Sequence, residues 1–171
     1  MSTVAHLFSL AIAAEHAAAA LYHELAARFA HVPEAAAFWE EYAADEMAHA
    51  QVLERLRNEL PAEKLTAAAD PEYLRQARRS AAMDINQQLS AISTLEDAYQ
   101  LAHELEHSET NTVFEFLITH LGATQQAHPF LRSQLSEHVA KIERGFPARY
   151  AGRASRQVVS ALPPSTKNAP R

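Results

Sequence analysis

The chain has 171 residues, enough for one domain with a substantial core. It contains no cysteine, which excludes disulfides, thiolate nucleophiles, iron–sulfur ligation and cysteine-based zinc sites, so any metal must sit on oxygen and imidazole. The formal charge of −6 is split unevenly, with six Lys or Arg and no acid in residues 144–171 against nine bases and 21 acids upstream; with no aromatic interleaving beyond Tyr150, residues 147–171 read as a solvated basic tail, not a nucleic-acid interface.

Only three glycines occur, alanine and leucine are abundant and β-branched runs are missing, so the composition predicts an all-α chain. Helix A is expected from Thr3 to Ala30, with Val4, Leu7, Phe8, Ala11, Leu21, Leu25 and Phe29 in helical spacing. The segment His31-Val32-Pro33-Glu34 ends it. Proline is tolerated in a first turn, so helix B starts near Pro33 and runs to Leu60, antiparallel to A.

Residues 61–93 are too long for a tight turn and read as a crossover with one short helix through Tyr73, Leu74 and Ala77, started by Asp70-Pro71. Thr94 is placed to cap helix C, with Asp97 three residues on in the position of a capping-box glutamate, and C is expected to reach about His120. Leu121-Gly122 marks a second turn, and helix D spans about Thr124 to Arg144, closed by Gly145 and Pro147. Residues 1–146 therefore predict a four-helix bundle made of two antiparallel hairpins joined by a long crossover, an architecture that builds two-metal carboxylate sites between facing helices. The N-terminus lacks a basic region followed by an uninterrupted apolar stretch, and no segment approaches 18 apolar residues without a charge or histidine, which predicts a soluble cytoplasmic protein with no membrane contact.

The carboxylates repeat. Glu15 and Glu46 reappear after a shift of 91 as Glu106 and Glu137, and Thr3, Leu10, Ala11 and Glu24 return as Thr94, Leu101, Ala102 and Glu115. In an antiparallel pair, residues equally far from the turn lie at one height. Glu15 and Glu46 flank the His31 turn in this way, and Glu106 and Glu137 flank Leu121-Gly122 symmetrically. Four carboxylates at one level of an interior repel one another and lose hydration unless cations neutralise them, which predicts two divalent ions.

In Glu46-Met47-Ala48-His49 the histidine lies one helical turn beyond the glutamate, so Glu46 is expected to bridge the ions while His49 gives one of them a nitrogen. The repeat places Ala140 where a second histidine is needed. His103 stands level with Ala140 across the second hairpin, one turn before Glu106, and is the candidate replacement. Glu109, one turn after Glu106, is a candidate extra carboxylate, and Tyr22, seven residues after Glu15, a candidate hydrogen-bond donor or redox-active phenol.

Other matches have plainer readings. In Glu104-Leu105-Glu106-His107, an inward Glu106 turns Glu104 and His107 toward solvent. His16 is rotated off the site line; His31, His120 and His128 lie near turns; Glu24 and Glu115 read as surface, and Phe38, Trp39 and Tyr42 as core. The same glutamates would also serve as ion pairs in a metal-free bundle acting as an interaction module.

Thr94-Leu95-Glu96-Asp97-Ala98, Leu101-Ala102 and Leu105-Glu106, together with Ala11, Glu15, Tyr22 and Glu46-Met47-Ala48-His49, resemble the rubrerythrin branch of the ferritin-like family over residues 3–145. The resemblance implies a non-haem di-iron site reacting with hydrogen peroxide or dioxygen, with Glu15, Glu46, His49, Glu106 and Glu137 as ligands and Glu109 as the family's extra carboxylate. Ala140 departs from the family's second histidine. The cysteine-rich rubredoxin domain that delivers electrons in full-length rubrerythrins has no counterpart here, so the resemblance implies an external donor. Manganese in place of iron, an iron-storage subunit and an oxygenase are the alternatives within the metal reading. The number of apolar positions suggests a homodimer.

Overall fold

The computed structural model describes residues 2–107, 113, 114, 116, 117, 140–142 and 144. All of its regular elements are helices, and the described residues contain no β-strand. Helix α1 spans Val4–Arg28 and begins at Thr3, whose hydroxyl accepts a hydrogen bond from the His6 amide at 3.3 Å. A tight connection follows, with the Val32 amide donating to the Phe29 carbonyl. Helix α2, Pro33–Glu59, then starts with proline at a position where no amide donor is needed. Both bounds agree with the expectation from the spacing.

The crossover carries three short helices, where the sequence predicted one. These are α3 (Ala62–Thr66), α4 (Pro71–Ala81) and α5 (Ile85–Ser90). Helix α4 is the expected one, with Asp70 accepting from the Glu72 amide at 2.7 Å. The additional α5 has a cap of the same kind, Asp84 accepting from the Gln87 amide at 3.1 Å, a local signal that the apolar pattern of six residues was too short to advertise. The crossover is tied back to α1: the Val4 amide donates to the Ala67 carbonyl, the Ala69 amide donates to Ser2, and the Arg28 guanidinium donates to the Leu89 and Ile92 carbonyls at 2.5 and 2.6 Å.

Helix α6, Leu95–Glu106, opens with the expected capping box: Thr94 Oγ1 accepts from the Asp97 amide at 3.1 Å and Asp97 Oδ2 accepts from the Thr94 amide at 2.8 Å. The Ser93 amide first, and then the Thr94 amide, donate to the Asp97 carboxyl and hold it below its usual range. The helix is shorter than the expected run to His120. It closes at His107, whose amide donates to the His103 and Leu105 carbonyls. Residues 108–112 lie outside the described residues. Residues 113, 114, 116, 117, 140–142 and 144 are helical again. The second turn, most of helix D and the tail lie outside the described residues.

The core divides along the length of α1 and α2. One cluster gathers Leu21, Tyr22, Leu25, Trp39 and Tyr42 with Leu95, Ala98, Tyr99 and Ala102 of α6, and the other gathers Leu7, Phe8, Ala11 and Leu53 with Leu74, Val113, Phe114 and Leu117. By length and composition α1 could cross a membrane, as the core helix of a soluble protein also can. Here 56 % of its most apolar window is buried against the rest of the chain.

Candidate metal centre

Between the two apolar clusters lie the only buried charged side chains among the described residues, Glu15, Glu46 and Glu106, each 2–4 % exposed. The local sequence explains how they fit. On α1 the face that carries Glu15 also carries Ala11, Ala14 and Ala18, and on α2 Glu46 lies between Ala43 and Ala50, all of them buried. Methyl side chains at these positions leave room where α1 meets α2, which larger residues would fill. The carboxylates therefore project inward at one level, as the symmetric spacing about the His31 turn requires.

His49 joins them. Its Nδ1 is 3.1 Å from Glu46 Oε2 and 3.8 Å from Glu15 Oε2, and its side chain keeps 12 % exposure. One donor atom from each of the three residues lies within 4.8 Å of the others, so the group could hold one metal ion. The Phe114 ring lies 4.9 Å from the imidazole and helps wall it from solvent.

Glu106 reaches the interior from α6, as expected, and takes a short hydrogen bond from the Tyr22 hydroxyl. Burial raises the Tyr22 phenol well above its usual pKa, and the neighbouring Glu106 and Glu46 carboxylates add to the shift. Tyr22 thus stays a protonated donor. Tyr42 is pushed up for the same reasons, burial first and then Glu106 and Glu46. Both phenols therefore register Glu46 and Glu106 in one shared low-dielectric space.

The remaining candidates are distributed differently. His103 is half-buried on α6, stands outside the group of Glu15, Glu46 and His49, and stacks on His107 with ring centroids 4.3 Å apart. His107 is exposed, with Nδ1 2.8 Å from the His103 carbonyl oxygen, and Glu104 is exposed beside Gln100, as expected of both. His16 and Glu24 are also exposed. Ala140 is half-buried and helical. Glu109 and Glu137, with His120, His128 and Glu115, lie outside the described residues.

Phe38, Trp39 and Tyr42, which their spacing predicts as plain core, are continuous with the site. Tyr22 lies parallel to Trp39, 6° between planes and 5.9 Å between centroids, and 5.2 Å from Tyr42. The signal lies in the spacing of Tyr42 and Trp39 before Glu46, one and two turns back on α2.

Comparisons with protein-family models, with curated proteins and with solved structures find no match.

Proposed function

We propose that the chain is a ferritin-like four-helix bundle of the rubrerythrin type that holds two iron ions, with manganese as the alternative, and reduces hydrogen peroxide or oxidises Fe(II) with dioxygen. The buried group of Glu15, Glu46 and His49 carries this reading. Its donors are carboxylate oxygen and imidazole nitrogen without thiolate, a set that suits Fe(II) or Mn(II). Burying carboxylates this close together costs on the order of several kcal/mol per ion unless a counter-charge accompanies them. A bound cation provides it.

Glu15, Glu46 and His49 would hold the first ion, and Glu106 would serve the second together with Glu109 and Glu137. His103 is the proposed nitrogen for the second ion. Iron bound here would supply electrons to cleave the oxygen–oxygen bond of peroxide, a reaction that takes two electrons and two protons and yields two waters. Each protein group then has a defined task. The carboxylates offset the added positive charge, and Tyr22 holds a proton on Oη at the edge of the site. Phe114 and the two apolar clusters limit water access. An external one-electron donor, a cytoplasmic location and a homodimer complete the reading.

The test is to load the protein anaerobically with Fe(II), add hydrogen peroxide, and follow peroxide loss and iron oxidation together. Turnover well above that of iron free in buffer, abolished in Glu46→Ala, is the expected result. A protein that holds iron yet consumes peroxide no faster than free iron would overturn the reading.

A further inference from the structure

We propose that Trp39 and Tyr42 relay electrons between the protein surface and Tyr22, so that a reductant reaches the buried centre without entering the interior; the idea rests on the peroxide-reducing reading above. Three oxidisable rings connect the two places. Tyr22 touches the site through its hydrogen bond to Glu106. Its ring lies against Trp39 and Tyr42, and the Trp39 and Tyr42 centroids are 6.4 Å apart. All three side chains are fully buried.

The outer end is equally defined. Lys141 Nζ sits 5.0 Å from the Tyr42 ring centroid and is held there by Asp45 at 2.6 Å and Glu41 at 3.0 Å. The side chains of Asp45 and Glu41 are 38 % and 66 % exposed. Tyr42 is therefore one layer of side chains below a charged surface, while Tyr22 is in contact with the centre.

Core packing alone would be met by leucine or phenylalanine, as at Phe38. Indole and phenol add one property, loss of a single electron far more readily than leucine or phenylalanine. Electron tunnelling weakens steeply with the distance between ring edges, so a path of touching rings is far faster than one jump across the same span. The chain has no cysteine to serve instead.

The electron count closes. Tyr22 would pass one electron inward to an oxidised centre held by the carboxylates, with its hydroxyl proton kept within the hydrogen bond to Glu106 Oε1. Trp39 returns one electron to Tyr22, and the proton moves back. Tyr42 passes one electron to Trp39 or directly to Tyr22, and a one-electron reductant in solution restores Tyr42. Two such passages deliver the two electrons consumed per peroxide, and no ring is changed at the end.

The experiment uses the full chain without metal, so its failure would leave the metal-binding reading untouched. Photogenerated tris(bipyridyl)ruthenium(III), a one-electron oxidant, is supplied in solution, and the tyrosyl radical is recorded by freeze-quench EPR. The Tyr22 contribution is the wild-type spectrum minus that of Tyr22→Phe. The relay requires that contribution to vanish in Tyr42→Phe and in the double variant Trp39→Phe/Tyr42→Phe and to fall in Trp39→Phe, where the direct Tyr22–Tyr42 contact remains, each variant first checked for native helix content by circular dichroism. Several variants keep the test open where one fails to fold. A Tyr22 signal of wild-type intensity in every folded variant, or no Tyr22 signal in the wild type, would overturn the proposal.

Discussion

Replacing Glu46 by glutamine separates stability from metal binding. The substitution keeps the shape and an acceptor oxygen for His49, now 3.1 Å from Glu46 Oε2, but removes a charge that is 4 % exposed and shares its space with Glu15. Without metal, relief of desolvation and like-charge repulsion exceeds the lost attraction to His49, and the net gain is expected at about 1–2 kcal/mol, a fraction of the several-kcal/mol penalty for a buried ion. With metal the sign reverses. A ligand present at about 100 times its Kd stabilises the native state by about 2.7 kcal/mol, and Glu46→Gln forfeits most of this because one of three donors is gone. Urea unfolding of both proteins, once in chelator and once in excess Mn(II), gives the four free energies needed. A variant less stable than wild type in chelator, or equal stabilisation of both proteins by metal, would refute the reasoning.

Three further outcomes follow from the same geometry. Tyr22 and Tyr42 have phenols raised above the ordinary value, so below about pH 10 both folded and unfolded chains keep these protons and the residues contribute nothing to the pH dependence. Above that pH only the unfolded chain loses them, stability falls by about 1.4 kcal/mol per pH unit for each tyrosine, and Tyr22→Phe removes one share of the slope; phenols that ionise near pH 10 in the folded protein by difference absorbance would contradict this. Arg28→Ala removes two hydrogen bonds from the guanidinium to the Leu89 and Ile92 carbonyls and should cost about 1–3 kcal/mol, with faster amide exchange over residues 85–92. Unchanged exchange there would show that α5 is held by packing alone. His49→Ala should lower Mn(II) affinity by more than about tenfold, a loss expected even of an outer partner, and His107→Ala should leave it unchanged; equal calorimetric effects would contradict the assignment.

Much of this organisation was legible because strong local rules coincided with global spacing. Pro33 and Pro61 bracket α2, Thr94 and Asp97 announce α6, and the equal distances of Glu15 and Glu46 from the His31 turn place both carboxylates at one level. What escaped the sequence depended on contacts without a period. Helices α3 and α5 are too short to show an apolar repeat, and their positions are fixed by tertiary contacts such as Arg28 on Leu89 and Ile92. The end of α6 at His107 is marked by backbone hydrogen bonds to His103 and Leu105, which apolar periodicity does not register. His103 follows from a rule of height in the second hairpin, where its expected partners Glu109 and Glu137 lie outside the described residues, and height alone does not report that its ring stacks on His107.

Counting bound metal tests the central claim most directly. Purified protein is incubated with Fe(II) or Mn(II), freed of unbound ions and analysed for metal per chain beside Glu46→Gln and His49→Ala. Two ions per wild-type chain are expected, with clear losses in both variants. A well-folded wild-type protein that retains neither metal, or variants that bind as much as the wild type, would contradict a metal centre at Glu15, Glu46 and His49.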